Sequence, residues 1–282
     1  MCIRDRAGIN SLVNQKAYKS VMYPIEPVIA ATWNVDLIQE MGSAYGQEAV
    51  AWGVSGIYGP AMNIHRTAFC GRNFEFFSED GLLSGKIAAA YTLGVREHDV
   101  YCYEKHFAIY ENTDFGFGSF NWCNEQALRE IYLKPFEIAV KEGKATAMMS
   151  TYTRLGTTWT GASYPLLTEV LRNEWGFHGV VITDYFNSTF MNANQGIYAG
   201  NDLMLSTVPE AGPTDTSNAG VWAMRNACHN IMYNTVNSVA MDINYMGPRA
   251  TWVIALVALD AVYLALLIAY FVKRKKNRAE KL

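Results

Sequence analysis

Six side chains stand where chemistry can be done: Asp184, Arg72, Lys105, His106, Tyr152 and Tyr185. Asp184 closes the apolar run Gly179-Val180-Val181-Ile182-Thr183 and precedes Tyr185. An ionised aspartate at a strand end can attack a carbon that is becoming an oxocarbenium ion. The covalent intermediate divides one hard step into two easier ones. The competing reading makes Asp184 the cap of a helix beginning near Asn187. Lys105-His106 sets two adjacent donors near the end of another apolar run, and Arg72 adds a planar guanidinium fork. Three donors around one carboxylate would hold it ionised and grip hydroxyl groups. Two blander roles compete: Arg72 paired with Glu75, Glu79 or Asp80, and His106 as a hydrogen-bonded core histidine. No two histidines have metal-ligand spacing, so neither a metal nor another cofactor is implied.

The elements that must position these groups alternate along the chain. Short apolar runs over 56–64, 100–109, 145–152, 179–183 and 202–205 read as buried strands. Amphipathic stretches over 35–52, 82–97, 124–142, 165–175 and 221–239 read as helices, with Gly143 as a stop for the third. Repeated strand–helix units with continuously apolar strands imply a parallel sheet covered by helices. Residues 7–245 approach the ~250 of a (β/α)8 TIM barrel. A doubly wound sheet is the alternative, but no glycine-rich phosphate loop follows any strand. A barrel presents catalytic groups where strands end. Tyr152 and Asp184 lie at such ends, Lys105 and His106 near one, and Arg72 a short loop beyond another.

Composition sets the outer limits. The 282 residues are 50% hydrophobic and 17% charged, enough for a sizeable core. An aromatic share of 13%, with 17 Tyr and 7 Trp, suits either a packed core or a site that stacks flat apolar faces. The net charge of −3, with basic residues clustered only at the C-terminus, excludes nucleic acid as a partner. Five cysteines without Cys-x-x-Cys spacing specify neither a zinc site nor a disulfide scaffold.

The C-terminal stretch has a separate character. Residues 251–272 are almost wholly apolar apart from Asp260, and Lys273, Arg274, Lys275, Lys276 and Arg278 follow. About 20 apolar residues span a bilayer core, and a flanking basic cluster marks the cytoplasmic side. The expectation is a single-pass anchor in the lipid bilayer over 251–272, a basic cytoplasmic tail over 273–282 and an extracytoplasmic catalytic region. Asp260 costs such a helix on the order of 3 kcal/mol. Met1 to Asn10 has no apolar export signal, so the chain is read as a fragment whose N-terminal part is missing.

Four segments in order resemble the family 3 glycoside hydrolases, the broad group of β-glucosidases and β-xylosidases. They are Ala31-Thr32-Trp33-Asn34; Gly59 to Ile64 leading into Cys70-Gly71-Arg72-Asn73-Phe74-Glu75 and Ser78-Glu79-Asp80; Lys105-His106-Phe107; and Glu174 to Phe177 followed by Gly179 to Tyr185. The resemblance implies a retaining enzyme on β-linked oligosaccharides or glycosides, with Asp184 as nucleophile. It implies that Arg72, Lys105 and His106 hold hydroxyls of the attacked sugar and that Tyr185 lines the neighbouring subsite. Tyr152 falls in a segment like the family's Ser-Tyr-Asn run, with Thr153 in place of Asn.

Two departures matter. The family's early Asp-Gly-Pro segment is not matched by Met1 to Arg6, although Ala7-Gly8-Ile9-Asn10 looks like its continuation. The family's acid/base usually sits on a separate α/β sandwich, which does not follow the barrel here and is expected in the missing N-terminal part. Phe107 to Thr113 lacks the histidine of the N-acetylglucosaminidase branch. The alternative of another class is a membrane-anchored sugar-binding protein without turnover.

Overall fold

Apolar runs separated by helical stretches pair side by side in the computed structural model, which describes residues 21–112, 118–207, 211–241 and 251–279. Within these the strands are β1 (Gly56–Ile57), β2 (Tyr101–Phe107), β3 (Phe120–Asn121), β4 (Ala147–Ser150), β5 (Arg154–Leu155), β6 (Thr158–Trp159) and β7 (Val180–Ile182). One parallel sheet has the order β1-β2-β4-β7, with Ile57 opposite Cys102, Tyr103 opposite Ala147, and Met148 opposite Val181. Every residue of β4 and β7 is buried, as is β2 from Cys102 on. That is the pattern of a sheet covered on both faces. Parallel bridges at Ala61–Lys105 and Ile182–Leu203 extend the pairing to the first and fifth expected runs. A smaller sheet joins β3, β5 and β6.

The longer helices are α1 (Glu26–Ala30), α2 (Val35–Ala51), α3 (Gly81–Arg96), α4 (Lys134–Lys141), α5 (Ala193–Ala199), α6 (Asn218–Val236) and α7 (Thr251–Ala279), with a short helical turn at Glu125–Ala127 and π-type turns at Leu128–Tyr132 and Pro165–Glu174. Their starts follow from capping. Asn34 Oδ1 accepts from Leu37 N at 3.1 Å, Asp80 Oδ1 from Leu83 N at 2.8 Å, and Ser217 Oγ from Gly220 N at 3.2 Å. The helix expected over 124–142 is instead broken ahead of α4. Pro135 has no N–H to continue the ladder and would crowd the preceding turn. α2 and α3 pack closely at Gly42 and Gly94; a Cβ on Gly94 would lie 2.0 Å from Gln39 O. Fully buried Ile87, Phe107, Phe136, Leu167, Leu171 and Val181 join helices and strands in one core. Each such side chain contributes roughly 1.5–3 kcal/mol by leaving water.

The fold is therefore α/β with a parallel sheet. Eight-stranded closure is not reached among the described residues, which form an arc of four strands plus the bridge at Leu203. Met1 to Asn10 lies outside the described residues.

Residues Met1–Met241 and Asp242–Leu282 form separate units. Among the described residues no helix is long and apolar enough to cross a membrane, so the bilayer span expected over 251–272 draws no support from them. α7 runs over Thr251–Ala279 and carries Asp260 among its apolar residues.

Candidate active site

The sheet delivers its polar groups from two strand ends and a loop. β2 ends through Lys105 and His106, whose connecting peptide is cis, and both side chains turn into the same cluster. Beyond β7, Thr183 N donates to Leu203 O at 2.9 Å and Asp184 N to Ser150 O at 3.0 Å, so Asp184 leaves the sheet with its backbone held on two sides. Arg72 precedes a single 3₁₀ turn, Asn73–Glu75, whose Asn73 Nδ2 is tied to Thr67 O at 2.7 Å.

Asp184 and His106 meet at the centre. His106 Nε2 lies 3.6 Å from Asp184 Oδ2, and their side chains are 2% and 15% exposed. Asp184 Oδ1 accepts from Tyr185 N at 2.7 Å, and the Tyr152 hydroxyl also bonds this carboxyl. Oδ2 is buried without a hydrogen-bond partner. The expected helix near Asn187 does not form. α5 begins at Ala193 under an Asn192 cap, so the capping role for Asp184 falls away.

The cationic groups are arranged differently from the expectation of three donors around Asp184. Glu75 takes two of them: the Arg72 Nε ion pair uses Oε1, and Lys105 Nζ stands 3.2 Å from Oε2. A carboxylate close to both cations satisfies them more fully than one beyond His106 can. Burial pushes the Glu75 carboxyl up, but the hydrogen bonds and charges of Arg72 and Lys105 outweigh it and hold it below the usual range. The third donor is an acceptor. His106 Nδ1 lies 3.3 Å from Asn63 Oδ1, which also accepts from His106 N at 2.9 Å. With the proton on Nδ1, Nε2 accepts from Arg72 Nη2 at 3.0 Å. Burial, then the charges of Lys105 and Arg72, depress the imidazole far below its ordinary value and keep it neutral. Both bland readings therefore hold: Arg72 is paired with Glu75, and His106 is a buried, bonded histidine. His106 still borders Asp184, and the Arg72 charge acts on it.

Burial raises the Asp184 carboxyl above the ordinary aspartate range, while the Tyr185 amide, Arg72, Lys105 and Tyr152 pull it back. Tyr110 closes the wall, its ring 4.8 Å from His106 and 6.0 Å from Tyr152, under the Arg72 guanidinium at 5.1 Å. Tyr185 is half exposed at the rim, its hydroxyl 2.7 Å from Thr207 Oγ1.

A family model, the glycosyl hydrolase family 3 N terminal domain, matches residues 11–215. The chain belongs to glycosyl hydrolase family 3. It is 43% identical to a β-glucosidase of Rhizobium radiobacter over 70% of this chain and 24% of that protein. It is 41% identical to β-glucosidase A of Butyrivibrio fibrisolvens over 65% of this chain and 22% of that one. Among solved structures, β-glucosidase 3B of Thermotoga neapolitana in complex with glucose matches with a TM-score of 0.75 and 35% identity, covering 82% of this chain and 34% of the other. The chain thus spans about a quarter of the length of the curated relatives it matches.

Within this family 3 domain, Thr153 replaces the expected Asn without leaving a gap. Its hydroxyl donates to Ile109 O at 2.7 Å and ties the loop bearing Tyr110 to the end of β4. Residue types alone did not single out Tyr110, Asn63 or Glu26, and offered Glu75 only as one of three partners for Arg72. Asn63 was findable, a lone amide in an apolar run; it orients His106 and also reaches Glu111 Oε1 at 3.3 Å. Glu26, in the first turn of α1, is pushed up to about 7 by burial and by the Glu75 charge, with Lys105 opposing. Nothing local in the sequence signals that proximity. Among the described residues no cluster of His, Cys, Asp or Glu is arranged to hold a metal ion.

Proposed function

We propose that this chain is the nucleophile-bearing part of a retaining β-glycosidase, β-glucosidase-like in substrate, that releases terminal non-reducing β-linked sugars. The observation that carries the reading is the buried, unpartnered Oδ2 of Asp184 among His106, Tyr152 and the Arg72–Glu75–Lys105 cluster. The names of the relatives supply the substrate class. Oδ2 attacks the anomeric carbon, forming a glycosyl ester as the bond to the leaving oxygen breaks, and water then hydrolyses the ester with net retention. Arg72, Lys105 and His106 hold the sugar's hydroxyls, Tyr152 steadies the nucleophile, and Tyr185 lines the next subsite. The acid/base lies on a part of the whole protein outside this chain, some 5–5.5 Å from Asp184 when assembled. Residues 7–245 form the greater part of a barrel there, which lacks its N-terminal portion.

An activated aryl β-glucoside tests this, because a good leaving group needs little proton donation. The chain is expected to turn it over while acting far more slowly on an unactivated disaccharide. Asp184→Ala lowers turnover on the order of 10⁴-fold, and azide restores it with inverted, α-glycosyl azide as product. Turnover that survives the substitution contradicts the assignment.

On the sequence of residues 251–272 and its basic flank, we also propose a single-pass anchor with the catalytic region extracytoplasmic. Alkaline carbonate should leave the chain in the membrane pellet; release into the supernatant rejects the anchor.

A further inference from the structure

Glu111 is a buried carboxyl that the steps at Asp184 do not use. It is 4% exposed, in the segment leaving β2 whose Ala108 and Ile109 carbonyls accept from Thr153 Oγ1 at 3.3 and 2.7 Å. Its Oε1 accepts from Asn63 Nδ2 at 3.3 Å and from Ile64 N at 3.4 Å, while Oε2 is buried without a hydrogen-bond partner. Asn63 is itself fully buried and directs Nδ2 to Glu111 and to His106 O, the latter at 3.0 Å. Its Oδ1 is left for His106, whose N and Nδ1 lie at 2.9 and 3.3 Å. Glu111, Asn63 and His106 thus form one line of polar groups that ends 3.6 Å from Asp184 Oδ2.

The place of the imidazole proton decides what that line does. On Nδ1 it meets Asn63 Oδ1, and Nε2 remains an acceptor for Arg72 Nη2 at 3.0 Å. On Nε2, where histidine in water prefers it, the proton would oppose the Arg72 donor. It would also give Asp184 Oδ2 a hydrogen-bond partner and draw electron density from that oxygen. A carboxylate on Asn63 Nδ2 favours the first arrangement, because it polarises the amide and makes Oδ1 the stronger acceptor. Burial pushes the Glu111 carboxyl up to about 7, opposed by the Ile64 amide, Asn63 and the Arg66 charge. Among the described residues, Arg66 and Cys123 are the titratable side chains coupled to Glu111. Around His106 they are Lys105, Arg72, Asp184 and Tyr110.

We infer that Glu111 is a positioning residue: through Asn63 it holds the His106 proton on Nδ1 and so leaves the Asp184 oxygen bare. The inference rests on the glycosidase reading for what the bare oxygen does, but not for where the proton sits. Nitrogen NMR of the whole chain, isotopically labelled at its five histidines and assigned with His106→Gln, reads the proton directly. Above pH 7 His106 should show a protonated Nδ1 and a bare Nε2; a proton on Nε2 there overturns the inference with no further variant. As pH falls through about 7 and Glu111 is neutralised, the Nε2 signal should drift toward its protonated value. On an activated aryl β-glucoside, kcat/KM should fall about threefold over the same step, the difference between a charge-assisted bond and a neutral one. Glu111→Gln keeps the shape and the acceptor without the charge. It should hold both readouts at their low-pH values and leave the acid limb of Asp184 in place. A step that survives in Glu111→Gln, or a loss of turnover without movement of the His106 signal, reduces Glu111 to a packing role and overturns the inference. An unmodified chain that never turns the glucoside over sinks the enzyme reading instead, and the His106 signal still judges Glu111.

Discussion

At the residue scale, the carboxyl that must be ionised is the one the fold makes harder to ionise. Burial lifts Asp184, and the positive charges of Arg72 and Lys105 act against it across Glu75. In the role proposed for it Asp184 works as the anion, so activity is expected to be lost as pH falls through its raised pKa. The acid limb of kcat/KM on an activated aryl β-glucoside should therefore lie above the ordinary aspartate range. Arg72→Met removes one lowering charge, so the limb should move to still higher pH, with kcat/KM reduced about 10- to 100-fold by the lost charge-assisted bonds. A limb that stays in place, or moves down, contradicts this electrostatic account. The residue types at 72, 105, 106, 152, 184 and 185 were legible because each is a polar group in or near an apolar run. The pairing among them was not: a three-residue interval from Arg72 to Glu75 is equally compatible with a surface pair, and only the fold brings Lys105 to the same carboxylate.

At the scale of elements, the sequence reading succeeded where a single physical signal dominated. α2 and α3 begin and end within a residue of expectation because Asn34 and Asp80 cap them and their apolar stripes are uninterrupted. It failed where two signals met. The run over 56–64 is regular strand only at Gly56–Ile57 and a bridge at Ala61, since Pro60 has no N–H for the ladder. The β5–β6 hairpin, turning at Gly156 with φ of 61°, was missed because each strand is two residues long. The close crossing of α2 on α3 yields a sharp test. Gly94→Ala puts a methyl into Gln39 O and should destabilise the chain by on the order of 3 kcal/mol in urea titration. Unchanged stability would show that the helices part at no cost.

For the whole molecule, the family came through in the order of four short segments, while the extent of the protein did not. The chain spans about a quarter of its relatives, and the proposal places in it one, Asp184, of the two carboxylates that a retaining glycosidase uses. The barrel was inferred from alternation, but alternation counts strand–helix units and not the closure of a sheet, and the described strands form an arc. The most direct test of the central claim is mass-spectrometric peptide mapping of the longer protein after reaction with a 2-fluoro-β-glucoside bearing a good leaving group. The account predicts one fluoroglucosyl adduct, on the peptide containing Asp184 and lost in Asp184→Ala. An adduct on another carboxylate, or none from a protein that hydrolyses the parent glucoside, would contradict it.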